Sequence, residues 1–142
     1  MVDFNSDRIV VHLVHGTFAQ NAAWTKEGSF LRSKIEDTFP PGKVSFSEFT
    51  WTGENSHRQR FNAAIDFYEH LSRAFQAEPG AHFIIAHSHG GNVVLQALFG
   101  HAISPLPTAQ SQLLDRHRFD CSSAFMLDCR NRSPNICTLS SF

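Results

Sequence analysis

The chain has 142 residues, which fits one domain of ordinary size and leaves little room for a second. Hydrophobic residues make up 42% and aromatic residues 12%, 14 of them Phe, so there is enough apolar side chain for a buried core and a wholly disordered chain is excluded. Charged residues are only 18% and the formal net charge is -1, which leaves no electrostatic footprint for nucleic acid or for an anionic membrane surface.

The longest apolar runs fall well short of a membrane span, and Met1-Val2-Asp3-Phe4-Asn5 lacks a basic-then-apolar leader, so the expectation is a soluble, cytoplasmic protein. Cys121, Cys129 and Cys137 are odd in number and lie late in the chain. They define neither a disulfide framework nor a zinc-ligand pair and read as free thiols in a reducing compartment. No cofactor is expected.

In chain order, Ile9-Val10-Val11-His12-Leu13-Val14 is a nearly continuous apolar run, the pattern of a strand covered on both faces, and it ends at His15-Gly16. Leu31, Ile35 and Phe39 recur at four-residue spacing after a loop through Trp24, predicting a helix stopped by Pro40-Pro41-Gly42. Val44-Ser45-Phe46 and Phe49-Thr50-Trp51 alternate out of phase on either side of Ser47-Glu48, which predicts a strand bulged or bent there. Ser56 and Gln59 have capping-box spacing, and Phe61, Ala64, Ile65, Tyr68, Leu71 and Phe75 form the predicted apolar stripe of a helix ended by Pro79-Gly80. Phe83-Ile84-Ile85-Ala86 is a short strand leading through His87-Ser88-His89-Gly90 into a helix from Gly91 to Phe99, closed by Gly100. Strands alternating with helices imply a parallel sheet of about three to four strands in a three-layer α/β/α fold, with ligands at the carboxyl ends of the strands.

Composition breaks near residue 100. All eight glycines lie at or before Gly100, and the 42 residues from His101 contain no Gly, Lys, Glu, Val, Trp or Tyr. The chain divides into residues 1–100 and a divergent tail, residues 101–142, which reads either as a polar extension or as a foreign or frame-shifted segment. Within that tail Ser123-Ala124-Phe125-Met126-Leu127 is a candidate fourth strand.

The chemistry concentrates at two strand ends. Ala86-His87-Ser88-His89-Gly90 has the small-x-Ser-x-Gly spacing of a nucleophile elbow, in which a tight strand-to-helix turn projects the serine oxygen above the sheet and small residues two before and two after prevent clashes. The helix that follows aims its free N–H groups toward the negative charge that develops when Ser88 attacks a carbonyl. At the end of the first strand, His15-Gly16-Thr17-Phe18 is placed to supply one backbone N–H of an oxyanion hole, from Thr17, while His89 supplies the other.

"VHLVHGTFA", the Trp24 that follows, "FTWTGENSHRQR" and "AHSHGGNVVLQAL" resemble the N-terminal half of an α/β-hydrolase, in the lipase-like and esterase-like branch with an HG oxyanion loop and an Ala-x-Ser-x-Gly elbow. The resemblance spans residues 8 to 100. It implies that the first strand lies between the other two, that Ser88 is an acyl nucleophile with Thr17 and His89 as oxyanion donors, and that the substrate is a carboxylic ester, including lipid esters. It also implies that the chain carries the nucleophile half of such a domain, in truncated form.

A serine of this kind needs a histidine base and an acid that orients it, following the nucleophile in the order acid then histidine. Asp128, after the candidate fourth strand, is the acid candidate, but no histidine follows it; His117 is the base candidate, and the triad reads as incomplete. The alternatives are a catalytically inactive remnant or a binding module, with an exposed sheet edge available for self-association. A metal-dependent hydrolase built on His87 and His89 is a further alternative, although Gly91 and Asn92 stand where an H-x-H-x-D-H loop needs Asp and His. The remaining histidines, including His12, His57 and His70, read as packing or solvent-facing residues, and Arg58, Arg60 and Arg73 as a solvated helix face.

Overall fold

A computed structural model describes residues 8–103, 124–127 and 139–140. Strand β1 (Arg8–Val14) is buried at every position after Arg8 because both of its faces are covered. Ile9, Val11 and Leu13 pack on one side with Ile85 and with the half-buried Trp24, Leu31, Ile35, Phe39, Val44, Phe46 and Phe83. Helix α1 (Phe30–Glu36) lies on this side, started by Ser29, whose hydroxyl oxygen accepts from the Arg32 N–H at 3.3 Å. Val14 packs on the opposite side in a larger cluster with Phe49, Ala64, Phe67, Leu71, Ile84, Val93 and Ala97. These come from β2 (Val44–Phe49), α2 (His57–Ala77), β3 (Gly80–His87) and α3 (His89–Ile103).

The sheet order is β2-β1-β3-β4-β5, with β4 spanning Ala124–Leu127 and β5 spanning Leu139–Ser140. The pairings β1–β2, β1–β3 and β3–β4 are parallel and β4–β5 is antiparallel. The first strand is thus flanked by the second and third, and the fourth strand expected near Ser123–Leu127 pairs with β3. The chain steps from β1 outward to β2 and then returns over β1 to β3. With right-handed crossovers that reversal puts α1 on one face and α2 and α3 on the other. It also makes the carboxyl ends of β1 and β3 the place where connections diverge to opposite faces, the switch point at which open α/β sheets bind ligands.

Several local expectations change. Strand β2 carries no bulge, since its register with β1 runs without a gap from Ile9↔Val44 to Val14↔Phe49. The alternation fails because two positions on the α2 side are polar and hydrogen-bonded: Ser45 donates to Glu78 Oε2 at 2.9 Å, and Ser47 Oγ lies 2.9 Å from His70 Nε2. On the other side Glu48 pairs with Lys26 at 2.9 Å and with Arg32 at 2.5 Å. Ser56 occupies the N-cap of α2, but its side chain makes no capping bond. The buried residues of α2 are Arg60, Ala63, Ala64, Phe67 and Leu71, whereas Phe61 is 60% and Ile65 47% exposed. Ala64 and Leu71 of the expected stripe are buried and Tyr68 and Phe75 pack against the same cluster, so the stripe misses the core only at Phe61 and Ile65; the core also takes Ala63 and Phe67, the latter with its ring 4.9 Å from that of Phe49. Helix α3 begins at His89, two residues before Gly91, and runs past Gly100 to Ile103.

A chain of imidazoles interrupts the apolar layer beneath α2. The Glu78 carbonyl can only accept, so His82 Nε2–H donates to it at 2.9 Å. His82 Nδ1 then accepts from His12 Nε2–H at 2.9 Å, and His12 Nδ1 accepts from His70 Nε2–H at 3.3 Å. His12 is fully buried, with Phe67 set edge-on against it at 6.5 Å. Burial, followed by the neighbouring His82 and His70, lowers its pKa to about 3. Burial and then Arg73 also lower that of His70.

Candidate active site

Strand β3 ends at His87, and the next residue, Ser88, has φ 53° before α3 begins at His89. A left-handed conformation costs a non-glycine residue roughly 1–2 kcal/mol and is kept where the surroundings enforce it. Those surroundings are visible in two glycines. A Cβ on Gly90 would lie 2.5 Å from the His15 carbonyl oxygen and 2.8 Å from that of Val14, so the first turn of α3 sits directly on the end of the β1 backbone. A Cβ on Gly16 would lie 2.9 Å from the His87 carbonyl oxygen and 3.0 Å from Ser88 Cβ, so the loop after β1 touches the elbow itself. With Ala86 also buried, the turn has room for nothing larger at either flank, and the Ser88 side chain is left exposed.

The sequence reading placed Ser88, Thr17 and His89 in one site, and these three are brought together. Thr17 Oγ1 lies 2.5 Å from His89 Nδ1, a hydroxyl–imidazole hydrogen bond whose direction follows the His89 tautomer. His89 is the first residue of α3, where backbone N–H groups have no helical acceptor, and the Thr17 N–H has no backbone acceptor among the described residues. Asp128 and His117 lie outside the described residues; β4 ends at Leu127, paired with His87, and Asp128 follows it in the chain. Among the described residues no imidazole nitrogen is hydrogen-bonded to Ser88 Oγ. His87 instead has Trp24 across its ring at 6.5 Å. No group of three His, Cys, Asp or Glu among the described residues is arranged to hold a metal ion.

Two features were not foreseen. The first is a buried pairing of His15 with Trp51. His15 Nδ1–H donates to the Gly16 carbonyl at 2.8 Å, and its Nε2 accepts the Trp51 backbone N–H at 3.1 Å, which fixes the neutral Nδ1–H tautomer. Trp51 Nε1–H donates back to the His15 carbonyl at 2.9 Å, and the two rings stack 10° from parallel. The usable signal was that both residues follow the ends of adjacent parallel strands. The second is Arg60, read as a solvated cation but only 5% exposed. Its guanidinium donates to Asn55 Oδ1 at 3.1 Å and to His57 Nδ1 at 3.1 Å.

No protein-family model matches the chain, nor does any curated protein or any solved structure. Fold alone does not define function, so the assignment rests on the site. Among the described residues no helix is long and apolar enough to cross a membrane.

Proposed function

We propose that this chain carries a serine acyl-transfer site of the α/β-hydrolase type, acting on carboxylic esters with an apolar acyl part. The observation that supports it most is the left-handed Ser88, exposed on a strand-to-helix turn at the sheet's switch point. In this reading Ser88 Oγ attacks the ester carbonyl as its proton passes to the base, and the carbonyl oxygen becomes an oxyanion held by the Thr17 and His89 N–H groups. The tetrahedral intermediate expels the alcohol with that proton to leave acyl-Ser88, and water then releases the acid. The apolar preference is supported by Phe18, 80% exposed and adjacent to Thr17. His117 and Asp128 are the base and acid candidates the sequence offers, but they stand in the order histidine then acid, the reverse of the expected one, so the triad reads as incomplete. The expected substrates are small-molecule esters or lipids, with no cofactor.

A second reading, a non-turning remnant or binding module, is favoured by the absence of an imidazole on Ser88 Oγ among the described residues, because an unassisted serine hydroxyl is a weak nucleophile. A fluorophosphonate probe separates the two. Rapid labelling that disappears in Ser88→Ala supports the enzyme; labelling no faster than that of Ser88→Ala supports the remnant.

A further inference from the structure

We propose that the segment following β2, residues 51–56, is the element that positions the oxyanion loop, with Trp51 and Arg60 as its positioning residues. This rests on the acyl-transfer reading of Ser88 and concerns how that site is held in register.

The loop after β1 has little internal support: Ala19 N–H reaches back to the Gly16 carbonyl at 3.3 Å, and Phe18 sits at φ 55° with its ring exposed. Its bracing comes from the neighbouring segment. Trp51 contributes a hydrogen bond to the His15 ring and another to the His15 carbonyl, and stacks on that ring. The Gly53 carbonyl accepts the Phe18 N–H at 2.8 Å, and the Thr52 carbonyl accepts from Gln20 Nε2. Residues on both sides of Thr17 are therefore tied to residues 51–53. The strand end alone would not fix a loop that passes through a left-handed residue at Phe18.

Arg60 anchors the far end of the same segment. A buried arginine is ordinarily paired with a carboxylate, because desolvating its charge costs several kcal/mol. Among the described residues Arg60 has no ion pair and bonds only Asn55 and His57, which flank the α2 N-cap. Its bond to Asn55 ties this segment to α2, while its bond to His57 stays within the first turn of α2. The geometry thus runs from Arg60 through Asn55 to Gly53, from Gly53 to Phe18, and from Trp51 to His15, with Thr17 held between.

The test uses the full chain and two variants. Trp51→Phe keeps an aromatic ring and the backbone N–H but removes the Nε1–H together with part of the buried indole; Asn55→Ala removes an exposed Arg60 partner without touching the core. With a fluorophosphonate titrated over concentration, well below the melting temperature, each variant should lose about tenfold in maximal labelling rate, the value of one hydrogen bond realised in the transition state, with an unchanged half-saturating concentration. A lowered Tm with an unchanged labelling rate would show a purely structural role and overturn the inference. Amide exchange at Phe18 reports positioning without chemistry: it should accelerate in Asn55→Ala, and unchanged exchange overturns the inference even if no labelling occurs. Wild type that labels no faster than Ser88→Ala instead overturns the acyl-transfer reading itself.

Discussion

Thr17 and His89 stand at the ends of different strands, 72 residues apart in the chain, and their side chains are hydrogen-bonded at 2.5 Å. The bond joins the loop after β1 to the first residue of α3, which follows Ser88 in the chain, so the two residues whose backbone N–H groups the acyl-transfer reading uses are also tied to each other. An oxyanion hole works by preorganisation, and losing one donor typically costs about 100- to 1,000-fold in rate. Thr17→Val removes the hydroxyl but leaves the backbone N–H in place. We expect a smaller loss than that, about three- to tenfold in fluorophosphonate labelling rate, the worth of one hydrogen bond that aligns a donor without being one.

Ser88 is exposed, and an ordinary surface substitution changes stability by no more than about 0.5 kcal/mol. Its φ of 53° predicts otherwise. Ser88→Val, β-branched in a left-handed turn, should destabilise by about 2 kcal/mol, whereas Ser88→Gly should be neutral or stabilising. Urea unfolding of the two variants checks the sign.

Gly90 is helical, and Gly→Ala in a helix ordinarily stabilises by up to about 1 kcal/mol. Here the new methyl would meet the His15 carbonyl oxygen at 2.5 Å, so Gly90→Ala should destabilise by about 1–3 kcal/mol and slow labelling as well. Thermal unfolding alongside the probe assay reads both effects.

Much of this architecture could be read from the residues. The continuous apolar run Ile9–Val14 announced a doubly covered strand, and the small-x-Ser-x-Gly spacing with a strand before it and a helix after it located the elbow. The expected α2 stripe holds at Ala64, Tyr68, Leu71 and Phe75 and fails at Phe61 and Ile65. Counting large apolar residues selects Phe61 and Ile65, whereas the small Ala63 is among the buried residues of α2, and a size-weighted count passes over it. Arg60 and Trp51 were misjudged or overlooked for a related reason, since their partners Asn55 and His15 are set by loop geometry rather than by spacing. The contrast is testable: Phe67→Ala should cost about 3–5 kcal/mol and Phe61→Ala less than about 1 kcal/mol, by denaturant unfolding.

The imidazole chain predicts a pH dependence of stability. The folded-state pKa of His12 is about 3, against 6.5 for an unperturbed histidine, so between these values the unfolded chain binds a proton that the folded chain refuses. Stability is therefore complete above about pH 6.5 and falls as the pH drops toward 3, by up to about 1.4 kcal/mol per pH unit and no more than about 5 kcal/mol in all from this group. His70, lowered in the same direction, adds to the loss. The groups facing His12 are His82 on β3 and His70 on α2, with Arg73 acting on His70. Urea midpoints at pH 7 and pH 4.5 should differ accordingly, and the difference should shrink in His12→Leu.

The central claim is that Ser88 is an acyl nucleophile, and peptide mapping after fluorophosphonate treatment tests it most directly. The account predicts a single covalent adduct on the peptide containing Ser88, formed with saturation kinetics and absent in Ser88→Ala. An adduct distributed over several serines, or none at Ser88 when the folded chain is exposed to excess probe, would contradict it.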